Sequence, residues 1–238
     1  MRRLVLALIF LTRLPLPNVS ADATDFAGAM RWFPAVGLVV GLIVAGATWA
    51  GALVDPWTGA LAGLVAWVAV TGALHLDGLA DLADGLGAAH GDRSRLLAVM
   101  ADPHIGSFGV VAIAVQLLAK TILLHGMIAT GPIWPLILLP AAARIGPLAW
   151  TRWLPPLHAG LAARFSGAVR GIDIGLWTAM LVASALLWPA MLAAPALIAA
   201  FAFWLKHKIG GISGDGHGAG IELVETGLLL ASVIASHL

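Results

Sequence analysis

Three carboxylates, Asp77, Asp81 and Asp84, stand four and three residues apart in HLDGLADLADGL, residues 75–86. On an α-helix that spacing lines them along one face, within reach of one another. Like charges so placed repel, and the repulsion grows beside a low-dielectric medium, so something positive is expected among them. Carboxylate oxygens suit a hard divalent ion, Mg²⁺ ahead of Ca²⁺ or Mn²⁺, which keeps open positions for substrate phosphates. Gly78 and Gly85 flank the acids and allow a bulky ligand to approach the backbone. The competing reading is a solvated helix face paired with Arg93 and Arg95; it carries less weight because acids beside apolar spans are costly unless used.

Other residues add to this chemistry. Asp102, in MADPHIGSFG, precedes a proline and by itself reads as a turn. Asp215 lies in GGISGDGHGAG, a glycine-rich loop whose amides, Gly214 and Gly216 among them, could cradle phosphate while Asp215 binds a metal; a flexible connection is the alternative. Glu222 and Glu225 share one helical face, and could equally favour a helix N-terminus by their charge. His75, His104 and His217 lie beside acids as ligands or proton carriers. Lys120 and Arg144 stand alone within apolar runs, to pair with these acids or with an anionic substrate. Trp57, Trp134, Trp150, Trp153 and Trp188 read as an aromatic belt.

The elements that must position these groups are membrane spans. The 238 residues are 61% hydrophobic and 11% charged, with a mean hydropathy of +0.97, which excludes an ordinary soluble domain. The chain has no cysteine, so disulfides, thiolate nucleophiles and Cys-based metal sites are excluded. Nothing in its net charge of +1 points to nucleic acid. Residues 1–238 read as a single all-α domain, a polytopic helical bundle of about seven spans, with six as the alternative. Residues 1–11 form a short N-terminal interfacial helix in preference to a cleaved signal peptide. The stretch 176–205, thirty residues without a charge, is too long for one crossing of a ~30 Å core and is expected to break into a hairpin near Pro189 and Pro195. Seven crossings put Arg2, Arg3, Arg13, Arg31, Arg93, Arg95, Arg152, Arg164, Arg170, Lys206 and Lys208 on one face, the cytoplasmic face of a bacterial inner membrane by the positive-inside rule. Gly91 and Gly214, and with them both acidic stretches, then face that compartment. Lipid is a necessary partner; oligomeric state is left open, a homo-oligomer included.

Five segments carry a resemblance: FLTRLPLP at 10–17, RWFPAVG at 31–37, HLDGLADLADGL at 75–86, RLLAVMADPHIGSFGVVAI at 95–113 and GISGDGHGAGIELVE at 211–225. In this order they resemble the cobalamin synthase family. The resemblance implies a polytopic inner-membrane, Mg²⁺-dependent transferase that joins adenosylcobinamide-GDP to α-ribazole, or to its 5′-phosphate, and releases GMP. It carries metal-binding roles onto Asp77, Asp81, Asp84, Asp102, Asp215, Glu222 and Glu225. Two positions depart from the family pattern: Ser213 stands where threonine is expected, and His217 where an aliphatic residue is expected.

The residues agree with that chemistry. Displacing GMP from a diphosphate requires charge to be neutralised on the bridging and leaving oxygens, which Mg²⁺ held by carboxylates supplies. Asp84 or His75 is the candidate general base for the attacking hydroxyl. Arg93, Arg95 and Arg144 are candidates to grip phosphate. Two other Mg²⁺-dependent activities stay in view: an intramembrane prenyltransferase, whose acids are similarly spaced, and a CDP-alcohol phosphotransferase-like enzyme, whose Arg expected a few residues after the acids is missing. A cation transporter would place its acids mid-span and show internal repeats, and none is found.

Overall fold

The computed structural model describes residues 1–89, 92–157 and 167–237, so Gly91 and Arg164 lie outside the described residues. Within them all regular structure is helical, and the extended pairing is confined to one parallel bridge between Pro156 and Ile212.

Helix α1 (Arg2–Leu11) buries Leu6, Ala7 and Leu11, as expected of a helix lying on the bundle. Helix α2 (Ala23–Ala29) starts at Asp22, whose side chain accepts from the Asp25 amide, and leads through a 3₁₀ turn, Met30–Trp32, into α3 (Phe33–Ala52). Asp55 then ends the hairpin turn: its carboxylate accepts from the amides of Trp57 and Thr58, and Pro56 opens α4 (Pro56–Thr71), where its missing N–H costs nothing.

The next junction decides where the acids go. Gly72 (φ 61°) and Ala73 (φ 59°) both adopt the left-handed conformation, which glycine takes freely and alanine only at a cost. The chain turns by 86°, so α5 (Leu74–Ala89) leaves the direction of α4 and lies across one end of the bundle. There it covers the starts of α7 (Ser107–Thr130) and α12 (Gly214–Ala235), with α6 (Arg93–Met100) beside it.

After α7 the chain returns through a 3₁₀ turn, Trp134–Ile137, then α8 (Leu139–Ala143) and α9 (Ile145–Trp153), three short helices each with a proline, 135, 140 or 147, in its first turn. Helices α10 (Gly171–Ala185) and α11 (Ala193–Lys208) form the expected hairpin, broken around the 3₁₀ turn Pro189–Leu192. Pro195 does not break it: it is the third residue of α11, a first-turn position where proline is tolerated.

Among the described residues, by length and composition four helical stretches are apolar enough to cross a membrane: Thr24–Ala52, Ser107–Thr130, Pro189–Lys208 and Gly214–Ala235. Counting the bent α4–α5 pair makes five, and α10 is a shorter apolar helix. Helix α7 shows the environment directly. Phe108, Val111, Val115, Leu118 and Ile122 form an exposed apolar stripe, while Gln116 and Lys120 are buried on the other side. A helix with its polar residues inside and its apolar residues outside is built for lipid. Trp150 leaves the expected aromatic belt: it is fully buried, with its indole N–H donating to the Ile198 carbonyl at 2.9 Å.

Candidate active site

Helix α5 presents its aspartates at three depths: Asp77 is exposed, Asp81 half-buried and Asp84 buried. Gly78 brings the second acidic stretch to them. A Cβ there would lie 2.7 Å from the Asp215 carbonyl oxygen and 2.9 Å from its Cα, so only glycine permits the contact. Asp215 thereby joins Asp77 and Asp81, 134 residues away from the second of them in sequence. Helix α5 turns away from α4 by 86°, and Asp77 on it is exposed. Burial, and then the charges of Asp77, Asp215 and Asp84, push Asp81 up to about 6. Every charge acting on Asp81 is negative.

The donor set fits a hard divalent cation, which would relieve this repulsion with oxygen ligands alone. It is not a closed cage: among the described residues no three His, Asp or Glu side chains converge as a ready-made metal site. A divalent ion here would need water or substrate oxygens to complete its shell.

Beside the aspartates lies a cleft of about 160 Å³, lined by polar His75, Asp77, Asp215 and His217 and by apolar residues that include Phe10, Met30, Phe33 and Ile221. His75 is buried, and neither ring nitrogen has a hydrogen-bond partner among the described residues. His217 shares a bond of 3.2 Å between Nε2 and the Thr151 hydroxyl, while its Nδ1 has no partner among the described residues.

Several residues expected at this centre are committed elsewhere. The two oxygens of Asp84 accept from the amides of Gly106 (2.7 Å) and Gly109 (2.9 Å), fastening α5 to the first turn of α7. Asp102 is exposed and folds onto its own turn, accepting from the His104 amide at 2.9 Å and contacting the His104 ring at 2.7 Å. The His104 amide and then its ring hold the Asp102 carboxyl below its usual range. Glu222 and Glu225 lie deeper in the bundle. Lys120 Nζ reaches Glu222 at 2.8 Å and Glu225 at 2.7 Å, Arg144 Nη1 reaches Glu225 at 2.8 Å, and Lys120 stands 4.3 Å over the Trp67 ring. Arg144 is thus a fully buried partner of Glu225, not a surface grip for phosphate.

Gly214 and Gly216 correct the loop expectation. Residues 214–235 are helical from the start, with Ser213 as N-cap accepting the Gly216 amide at 3.0 Å. Gly216 is buried, whereas around Gly214 a Cβ would meet nothing within 4 Å. Arg93 and Arg95 are exposed at the same end, Arg93 next to Gly210 just before α12. Gln116 was not singled out from the sequence, yet it donates to Glu222 Oε2 at 2.8 Å. Its spacing of four from Lys120, on one helical face, is the signal that could have found it.

Comparison with known proteins places this arrangement. The sequence profile of the cobalamin-5-phosphate synthase family matches residues 3–233. A protein of Novosphingobium aromaticivorans named adenosylcobinamide-GDP ribazoletransferase is 60% identical over 238 residues, covering 98% of this chain and 97% of that protein. Proteins of the same name from Laribacter hongkongensis and Thiobacillus denitrificans are 53% and 50% identical, over 100% and 98% of this chain and 99% and 96% of theirs. No solved structure matches. With the profile and these relatives spanning nearly its whole length, the chain belongs to the cobalamin-5-phosphate synthase family.

Proposed function

We propose that the chain is an adenosylcobinamide-GDP ribazoletransferase, joining α-ribazole or its 5′-phosphate to adenosylcobinamide-GDP with release of GMP, at the cytoplasmic face of a bacterial inner membrane. One observation carries the chemical part: Asp81 is crowded by Asp77, Asp84 and Asp215, and by no cation, and two of these neighbours, Asp77 and Asp215, line the cleft. Asp77, Asp81 and Asp215 would hold Mg²⁺, which when bound neutralises charge on a diphosphate.

The chain's own groups do the rest. A ribose hydroxyl oxygen of α-ribazole attacks the phosphorus next to the cobinamide arm. A new P–O bond forms, the bond from that phosphorus to the bridging oxygen breaks, and the electron pair leaves with GMP. His75, on the cleft wall, accepts the hydroxyl proton. Arg93 and Arg95 neutralise phosphate oxygens from the rim, and the open start of α12 at Gly214 adds its partial positive charge. Asp84 positions α7 against α5 and leaves the chemistry to its neighbours.

The orientation rests on charge. Arg93, Arg152, Arg170, Lys206 and Lys208 end or begin helices at the α5 end of the bundle, where the positive-inside rule places cytoplasm. The buried mid-bundle charges, by contrast, neutralise one another, which argues against a cation pathway. The test is turnover by protein reconstituted in lipid nanodiscs with adenosylcobinamide-GDP and α-ribazole. Stoichiometric GMP with Mg²⁺, and none with a chelator, supports the reading; inorganic diphosphate as product, or no chemistry, overturns it.

A further inference from the structure

A second and larger cavity, about 750 Å³, opens at the α5 end between α1–α2 and the start of α10. The turn Met30–Trp32 separates it from the catalytic cleft, Met30 facing the cleft and Trp32 the cavity. Four arginines line it, Arg2, Arg3, Arg31 and Arg170, against two carboxylates, Asp25 and Asp173. Four positive charges less two negative leave a surplus of two.

Each carboxylate is shared by two arginines. Asp25 is met by Arg2 at 3.1 Å and Arg3 at 3.3 Å; Asp173 is met by Arg31 at 3.3 Å and Arg170 at 2.9 Å. Arg3 and Arg31 make these contacts through Nε alone, Arg31 Nε also donating to the Ala168 carbonyl at 2.8 Å. Among the described residues their terminal nitrogens make no hydrogen bond. Two guanidinium forks, each fixed at its stem and unspent at its tip, are suited to bidentate capture of phosphate.

The other wall is apolar and faces lipid. Leu176 and Met180 line the cavity while 61% and 56% exposed, and the Trp177 indole N–H donates to the Arg31 carbonyl at 2.8 Å, tying this wall to the charged floor. From Arg170 to Met180 the helix rises ~15 Å, from the charged rim well into the depth of an acyl chain. A ligand that fills both parts has an anionic head and an apolar tail.

We propose that this cavity binds an acidic phospholipid, its phosphate held by Arg3 and Arg31 and one acyl chain laid along Leu176 and Met180. A free phosphate would engage the same guanidinium groups but leave the apolar wall exposed. The site shares no residue with the catalytic cleft, so its test does not depend on turnover.

Native mass spectrometry of the detergent-purified protein, exposed separately to phosphatidylglycerol and phosphatidylcholine, provides that test. The wild-type protein should retain phosphatidylglycerol about tenfold better, and millimolar inorganic phosphate should not displace it. Arg3→Gln with Arg31→Gln should erase the preference, while Leu176→Ser with Met180→Ser, on the lipid-exposed wall, should weaken retention and leave thermal unfolding unchanged. Equal retention of the two lipids by the wild type, displacement by inorganic phosphate alone, or undiminished preference in the folded arginine variant would each overturn the proposal.

Discussion

Helix α12 carries acids at two depths, and they are handled in opposite ways. Glu222 and Glu225, two to three turns in, meet Lys120 and Arg144: two carboxylates against two cations, a neutral set with Gln116 and the Trp67 ring completing it. Asp215, at the first turn, instead joins Asp77 and Asp81 on α5, where the charges acting on Asp81 are all carboxylates. Depth explains the difference. A charge inside the bundle cannot borrow counter-charge from solvent, so the chain must supply it, whereas a charge at the rim can await an ion from outside. The inner set holds helices together, and the outer set is available for chemistry.

Four substitutions test this contrast. Glu225→Gln leaves Lys120 and Arg144 short of a carboxylate in a dry interior, and should cost about 3–5 kcal/mol of stability. Reversible unfolding in mixed micelles would read it, and a loss below about 1 kcal/mol would mean that the network is not structurally important. Asp81→Asn should lower turnover by about 100-fold or more. Its stability should hold or rise at pH 7, because a folded carboxyl raised to about 6 favours folding only while protonated, and that contribution is lost as pH rises through 6. Wild-type rates would remove Asp81 from the metal site. Asp84→Ala removes the two amide contacts to α7, and should cost about 1–3 kcal/mol while the folded fraction keeps most of its activity. A rate loss as deep as that of Asp81→Asn, without destabilisation, would return Asp84 to the chemistry. Asp102→Asn, exposed and bonded only within its own turn, should change stability by about 0.5 kcal/mol or less and turnover hardly at all.

Much of this was legible in the sequence because it rests on local spacing or on charge counting. The register of Asp77, Asp81 and Asp84 follows from helical periodicity, and the hairpin around Pro189 from the length of a charge-free run. What the sequence could not apportion was which acid meets which partner. Lys120 and Glu225 are 105 residues apart, and nothing local distinguishes Glu225, held by two cations, from Asp215, held beside two carboxylates. Asp84 is occupied by amides 22 and 25 residues downstream, across a junction invisible to periodicity. The glycine-rich stretch 210–220 reads as a loop by composition, and glycine ordinarily disfavours a helix interior. Here tertiary packing overrides that preference, since a Cβ at Gly218 would lie 3.2 Å from the His75 Cα.

Asp77, Asp81 and Asp215 are proposed to bind one divalent ion together. Electron paramagnetic resonance of Mn²⁺, titrated into the purified wild type and the Asp81→Asn variant, tests it most directly. Wild type should bind at neutral pH and lose affinity as pH falls through about 6, where protonation of Asp81 competes, and the variant should bind at least tenfold more weakly. Equal binding by both proteins, independent of pH across that range, would contradict the account.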